Sequence, residues 1–298
     1  MHRTTTARLG LLALIWGSSY LWIKLALRGL SPTELTFARL VLGSAVLFAV
    51  LAVRRDSLPR SPVLWMHMTV AALFGNAAPY LLFAAGEQHV ASSTAGMLNA
   101  TTPLWTVVVA LAIRHQRAVS ARQAAGLVVG FGGAVLIFSP WQAVSGLAST
   151  GAVECLAAAA SYGISFVYMD RFLARRGIGP VALSACQLGA ASGLLAITLG
   201  VTGAPSPHLD VTLVASIAIL GLAGTGAAYV LNYQIIASEG ATVASTVTYL
   251  LPVVAIVLGV LVLGEHITLP VLAGIALILA GVALTRNRTT RAPATADP

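Results

Sequence analysis

Gly240 to Thr268 reads GATVASTVTYLLPVVAIVLGVLVLGEHIT. Small residues open the stretch, an apolar run carries Pro252 near its middle, and Gly264-Glu265 closes it. A second stretch, 91–117, resembles it. Sliding the chain by 149 residues lays Leu73 on Leu222, Gly75 on Gly224 and Ala78 on Ala227. The same shift lays Tyr80 on Tyr229, Leu82 on Leu231, Ala95 on Ala244 and Pro103 on Pro252, without a gap. One half of the chain therefore reads as a copy of the other.

Of the 298 residues, 58% are hydrophobic and only 9% are charged. Soluble domains carry about 25% charged residues, so this chain could not cover a water-facing surface and belongs in lipid. A spanning helix needs about 20 mainly apolar residues. Ten stretches meet that measure: 9–28, 32–53, 63–85, 91–113, 121–138, 150–171, 179–201, 211–236, 241–263 and 268–285. Breakers mark the loops, among them Ser31-Pro32, Ser61-Pro62 and Pro205-Ser206-Pro207. The expected architecture is an all-α integral membrane protein of ten transmembrane helices. Residues 1–138 form a first five-helix repeat and 150–285 a second. Segment 139–149 links them outside the membrane, and 286–298 is a disordered cytoplasmic tail.

The basic residues orient the spans. With the N-terminus in the cytoplasm, Arg3, Arg8, Arg54, Arg55, Arg60, Arg114, Arg117 and Arg122 fall inside. So do Arg171, Arg175, Arg176, Arg286, Arg288 and Arg291. These fourteen of the 17 Lys and Arg leave only Arg28 in an outer loop. Both termini are thus cytoplasmic, in a multi-pass protein of the cell membrane. The net charge of +8 sets topology against anionic lipid and is no nucleic-acid footprint. Five spans per half is odd, so the halves enter the membrane in opposite senses. Inverted repeats are an architecture of secondary transporters, with the substrate site between them near the midplane.

Several residues resemble a known family. Trp16-Gly17-Ser18-Ser19 followed by Lys24 is similar to the opening signature of the EamA family, within the drug/metabolite transporter superfamily. Pro32, Arg39, Pro103, Pro252, Gly264-Glu265, Gly274 and Gly281 fit the same pattern over about 4–285. His115-Gln116 departs from it, since the first half lacks the acid that Glu265 supplies in the second. The resemblance implies a ten-helix carrier that moves small metabolites across the cytoplasmic membrane, most often outward. Amino acids and related compounds are the expected cargo.

Polar side chains within spans are costly and need a role. At helical spacing Asn76, Tyr80 and Phe83 share a face, as do Thr225, Tyr229 and Asn232, with Tyr233 beside them. Asn99 and Thr248 stand at corresponding places in spans 4 and 9, with Tyr249 adjacent. Trp16 and Tyr162 each precede a glycine in the first span of a half. These residues either line a substrate cavity or bond helix to helix. Pro103 and Pro252 each remove a backbone donor and are expected to kink their helices. Lys24, Arg39 and Glu154 are charges within spans, with Glu34 at a rim. Lys24 either snorkels or joins Arg39 in an outer gate closed on Glu154 or Glu34, and Glu154 is the candidate for proton coupling.

Glycines crowd spans 5 and 10, as packing supports or as the face of a homodimer. Cys155 and Cys186 read as free buried thiols. No zinc spacing, nucleophile elbow or phosphate loop occurs, so neither metal nor cofactor is expected. The expected partners are a small-molecule metabolite and membrane lipid. An intramembrane enzyme acting on lipid or polyprenyl substrates is the alternative. It would need clustered acids or histidines, and the nine acids here are scattered singly.

Overall fold

A computed structural model describes residues 3–90, 92–115, 119–138, 149–203, 210–254 and 269–285. Within them there is helix and no strand. In lipid every backbone N–H and C=O must be bonded inside its own segment, and helices do this. We number the helices by stretch. They are α1 (Arg3–Ala26), α2 (Pro32–Arg54) and α3 (Pro62–His89), then α4 in two pieces, Ser92–Asn99 and Thr102–Ala112. There follow α5 (Ala121–Phe138), α6 (Thr150–Phe172), α7 (Pro180–Thr202) and α8 (Val211–Glu239). Last come α9 (Ala241–Val254) and α10 (Leu269–Thr285). Among the described residues seven helices are long and apolar enough to cross a membrane, and α5, α9 and α10 are shorter apolar helices. The second part of the Gly240–Thr268 stretch, with Gly264-Glu265, lies outside the described residues, as do 139–148 and 286–298.

Local signals set the helix ends. Ser31 caps α2 in a capping box: its Oγ accepts from the Glu34 N–H at 3.3 Å, and Glu34 Oε2 accepts from the Ser31 N–H at 2.9 Å. Pro32 follows at the first turn, where no donor is lost. Asp210 caps α8 by accepting from the Leu213 N–H at 2.6 Å. Gly240 turns α8 into α9 at φ 84°, a left-handed backbone that glycine tolerates.

Two of the long helices carry a wider turn. α3 widens to a π-helical segment at Leu73–Ala77, and α8 does so at Ile219–Ala227. Moved by 149 residues, the first segment falls inside the second. Such insertions turn every later side chain by one position around the helix axis.

The helices of the two halves interleave. α3 packs on α6 and α8 on α1; α2 packs on α8 and α7 on α3; α2 meets α7, α4 meets α9, and α5 meets α10. At the α2–α7 crossing Ser44 Oγ lies 3.5 Å from Ser192 Oγ. Close approach depends on glycine in two corresponding places. A Cβ on Gly17 would fall 2.8 Å from Val254 Cβ, and one on Gly163 would fall 2.6 Å from Trp105 Cβ. The glycines of α5 and α10 face each other: Gly133 meets the Gly274 carbonyl, and Gly126 and Gly130 meet Gly281. That packing support is the role they fill within the chain. Outward, large apolar side chains such as Leu21, Val128, Val153 and Ile197 are exposed, as a lipid-facing surface requires. Cys155 and Cys186 are buried and free.

Candidate functional site

A cavity of about 70 Å³ lies at the centre, between the halves. From α1 it takes Trp16, Ser19, Tyr20 and Ile23; from α6 it takes Tyr162, Ser165, Phe166 and Met169. Both sets have the spacing 0, 3, 4 and 7 that puts side chains on one helix face. α3 contributes Tyr80 and Phe83, and α8 contributes Tyr229 and Asn232. Asn99 enters from α4, Thr248 and Leu251 from α9, and Arg39 from α2. The lining is therefore largely paired between the halves. A shift of 146 carries the α1 set onto the α6 set, and a shift of 149 carries Tyr80, Phe83 and Asn99 onto Tyr229, Asn232 and Thr248. Among the described lining residues Arg39 and Leu251 lack a counterpart in the wall.

Aromatic rings form most of that wall. Trp16 meets Tyr229 edge to face, with centroids 6.2 Å apart at 63°. The corresponding pair, Tyr162 and Tyr80, stands at 6.4 Å and 72°. The two π segments present carbonyls to these rings. Trp16 Nε1 donates to Gly224 O at 3.1 Å, and Tyr229 Oη donates to Gly75 O. Gly75 and Gly224 are themselves 149 residues apart. Opposite them Asn99 Nδ2 donates to Tyr20 Oη at 2.7 Å, and Thr102 Oγ1 donates to Asn99 Oδ1 at 3.0 Å. Two buried polar atoms of the wall have no hydrogen-bond partner among the described residues: Tyr80 Oη and Asn232 Oδ1.

Trp16, Tyr80, Asn99, Tyr162, Tyr229, Asn232 and Thr248 thus come together around one space. Asn76, Tyr233 and Tyr249, expected beside them, do not reach it. Asn76 sits inside the π segment, whose extra residue turns it from the Tyr80 face toward α7; there its Oδ1 accepts from Gln187 Nε2 at 2.7 Å. Tyr233 points the same way and donates to Gln187 Oε1. Tyr249 is one position off the Thr248–Leu251 face, so its ring packs on Gly130 and its Oη donates to Leu127 O at 3.1 Å.

The charged residues also need correction. Lys24 follows Ile23 by one position and is exposed on the outer face of α1. Glu34 is held by Ser31 in the cap of α2, and Glu154 is half-buried away from the cavity. Arg39 pairs with neither acid. Its Nε donates to Thr225 Oγ1 at 3.0 Å, and its guanidinium lies 4.1 Å from the Tyr80 ring centre. The expected ion-pair gate among these four is therefore absent from this structure.

The prolines act differently from each other. α4 breaks at Ala100–Thr101, directly ahead of Pro103, with i→i+3 bonds such as Leu104 N–H to Thr101 O at 2.9 Å. α9 breaks at Thr246 instead, and Pro252 lies inside helix. A separate set of contacts ties one end of the bundle. Asp170 Oδ2, at the end of α6, lies 3.0 Å from His115 Nε2 beyond α4 and accepts from the Ala241 N–H at 3.3 Å. Arg175 lies 3.5 Å from Asp170 Oδ1. The sequence reading missed Asp170.

Comparison with known proteins gives the class of this molecule. The model of the EamA-like transporter family matches residues 9–139 and again 149–287. The chain belongs to that family. It is 28% identical over 90% of its length to the uncharacterized transporter YoaV of Bacillus subtilis, covering 92% of it. It is 32% identical over 92% of its length to a probable terminal-alkyne amino-acid exporter of Streptantibioticus cattleyicolor, covering 90% of that protein. The uncharacterized inner membrane transporter YedA of Escherichia coli is 24% identical over 86% of the chain and 82% of its own length. A solved crystal structure superposes with a TM-score of 0.75 over 95% of this chain and 96% of that one, at 21% identity, a likeness of fold alone. The protein is a multi-pass membrane transporter.

Proposed function

We propose that the chain is a secondary carrier that moves a small metabolite, an amino acid or a related compound, outward by alternating access. Its ten helices form two five-helix repeats of opposite topology, 1–138 and 150–285. The observation that carries this reading is the pairing of the wall. Seven lining positions of one half have their counterparts in the other. Two inverted copies that share one cavity can exchange conformations, and the exchange moves the opening from one side to the other. The mirrored π segments, the paired glycine contacts and the twofold match of the family model support it. No phosphate-binding loop is present in the sequence, so movement is downhill or coupled to an ion gradient.

The basic residues put the Asp170 cluster at the cytoplasmic face. There it joins α4, α6 and the start of α9, and we assign it the role of inner closure. The substrate preference draws on the relative named as an amino-acid exporter. The test is counterflow in proteoliposomes of the purified protein with a panel of metabolites, with and without a pH gradient. A carrier preloaded with unlabelled substrate accumulates labelled substrate transiently. Saturation and overshoot are expected; linear flux without overshoot would mean a passive pore.

A further inference from the structure

Among the described residues Arg39 is the one charge in the cavity wall, and its own half of the molecule does not complete it. The residue is 5% exposed. Beyond the bond from Nε to Thr225 and the Tyr80 ring, neither terminal nitrogen has a hydrogen-bond partner among the described residues. Among the described residues no carboxylate lies within ion-pair distance of Arg39 and no acid lines the cavity. A buried cation is kept only where an anion or acceptors complete it.

The other half shows what completion looks like. A shift of 148 residues, the one that brings Ser44 to Ser192, carries Arg39 to Gln187. Gln187 is fully buried and fully bonded. Its Nε2 donates to Asn76 Oδ1 at 2.7 Å and to Ala71 O at 3.3 Å, and its Oε1 accepts from Tyr233. Asn76 corresponds to Thr225, so that contact is present in both halves. Tyr233 corresponds to Ala84, so the second contact exists in one half only. Where Tyr233 locks Gln187 away from the cavity, a methyl group leaves Arg39 facing into it.

We propose that the missing partner of Arg39 is the carboxylate of the substrate, and that the cavity takes amphipathic monocarboxylates such as α-amino acids with apolar side chains. This rests on the carrier reading above. A guanidinium presents a planar fork of donors that fits a carboxylate in bidentate fashion. Asn232 is 2% exposed, and its Oδ1, without a partner among the described residues, supplies an acceptor for the ammonium group; Tyr80 Oη supplies another. Trp16, Tyr20 and Phe83 offer rings for the apolar remainder. With Gln187 neutral, the cavity holds a single cation, which suits one negative charge and not a phosphate dianion or a dicarboxylate.

The experiment uses the full chain in proteoliposomes and compares leucine and phenylalanine with their amides and with the corresponding decarboxylated amines. The acids should compete for counterflow about tenfold or more better than amide or amine, the margin of a charge-assisted pair. Arg39→Gln should lose that discrimination and slow uptake of the acids by a similar factor, while keeping its melting temperature in detergent. Arg39→Lys should retain part of the preference, because it keeps the charge without the fork. Equal movement of acid, amide and amine by the unmutated protein would overturn this proposal alone. So would an Arg39→Gln variant with unaltered uptake of the acids. Movement of no compound in the panel would overturn the carrier reading and this proposal with it.

Discussion

Arg39 and Gln187 occupy corresponding places on α2 and α7, and each crosses to the other half to bond a π-helical segment. Arg39 reaches Thr225 and Gln187 reaches Asn76. The backbones around them match: both segments widen at the same point, and both send a glycine carbonyl to a ring of the cavity wall. The side chains do not match. Gln187 is closed off by Tyr233, whereas Arg39 opens on the cavity. The scaffold of two related halves is thus kept nearly symmetric, and the chemistry of the cavity sits in the position that breaks the symmetry.

Exchanging the two residues probes that difference most strongly. Gln187→Arg places a second cation where no cavity receives it, and charges at mid-membrane cost about 2.5–3.5 kcal/mol or more. We expect this variant not to accumulate in the membrane, whereas Arg39→Gln accumulates normally; immunoblots of membrane fractions decide it. The paired glycines come next. Both Gly17→Ala and Gly163→Ala should destabilise by about 1–3 kcal/mol through overpacking. Gly163→Ala should be the worse, because its new methyl meets backbone atoms of Trp105 and Thr106 and not mainly the Val254 side chain. A melt of the two variants that reversed this order would contradict the tighter, backbone-limited approach of α4 to α6 at Gly163.

Breaking the lock should be milder. Tyr233→Phe leaves Gln187 Oε1 without its donor at a cost of about 1–3 kcal/mol, read as a lower melting temperature with transport preference unchanged. Trp16→Phe is the smallest of the set. It removes the bond to Gly224 O but keeps most of the ring, for about 0.5–1.5 kcal/mol.

Much of this was legible in the sequence, and the failures have a common cause. Hydropathy located the helices, because lipid demands long apolar runs. Once Trp16 and Tyr162 are taken as facing inward, helical spacing also predicts Ser19, Tyr20 and Ile23, and Ser165, Phe166 and Met169. Asn76 departs from the Tyr80 face because an α-helical period does not carry through a π segment, whereas Tyr233 shares an unbroken α-helical piece with Tyr229 and Asn232 and is drawn off their face by Gln187. No residue in LFGNA or ILGLAGTGA announces such an insertion on its own. The partner of Arg39 lies 186 residues away in the other half, out of reach of any local pattern. The Asp170 cluster escaped notice for the same reason, since His115 and Ala241 meet Asp170 only through the fold.

The central claim is that one cavity, built from both halves, faces the two sides of the membrane in turn. Ser19→Cys, in a chain with Cys155→Ala and Cys186→Ala, places a single thiol on the α1 wall beside Gly224. The measurement is its labelling in sealed vesicles by a membrane-impermeant maleimide applied first from one side and then from the other. The account predicts reaction from both sides, slowed by a transported substrate. Reaction from one side only, whatever the substrate, would contradict it.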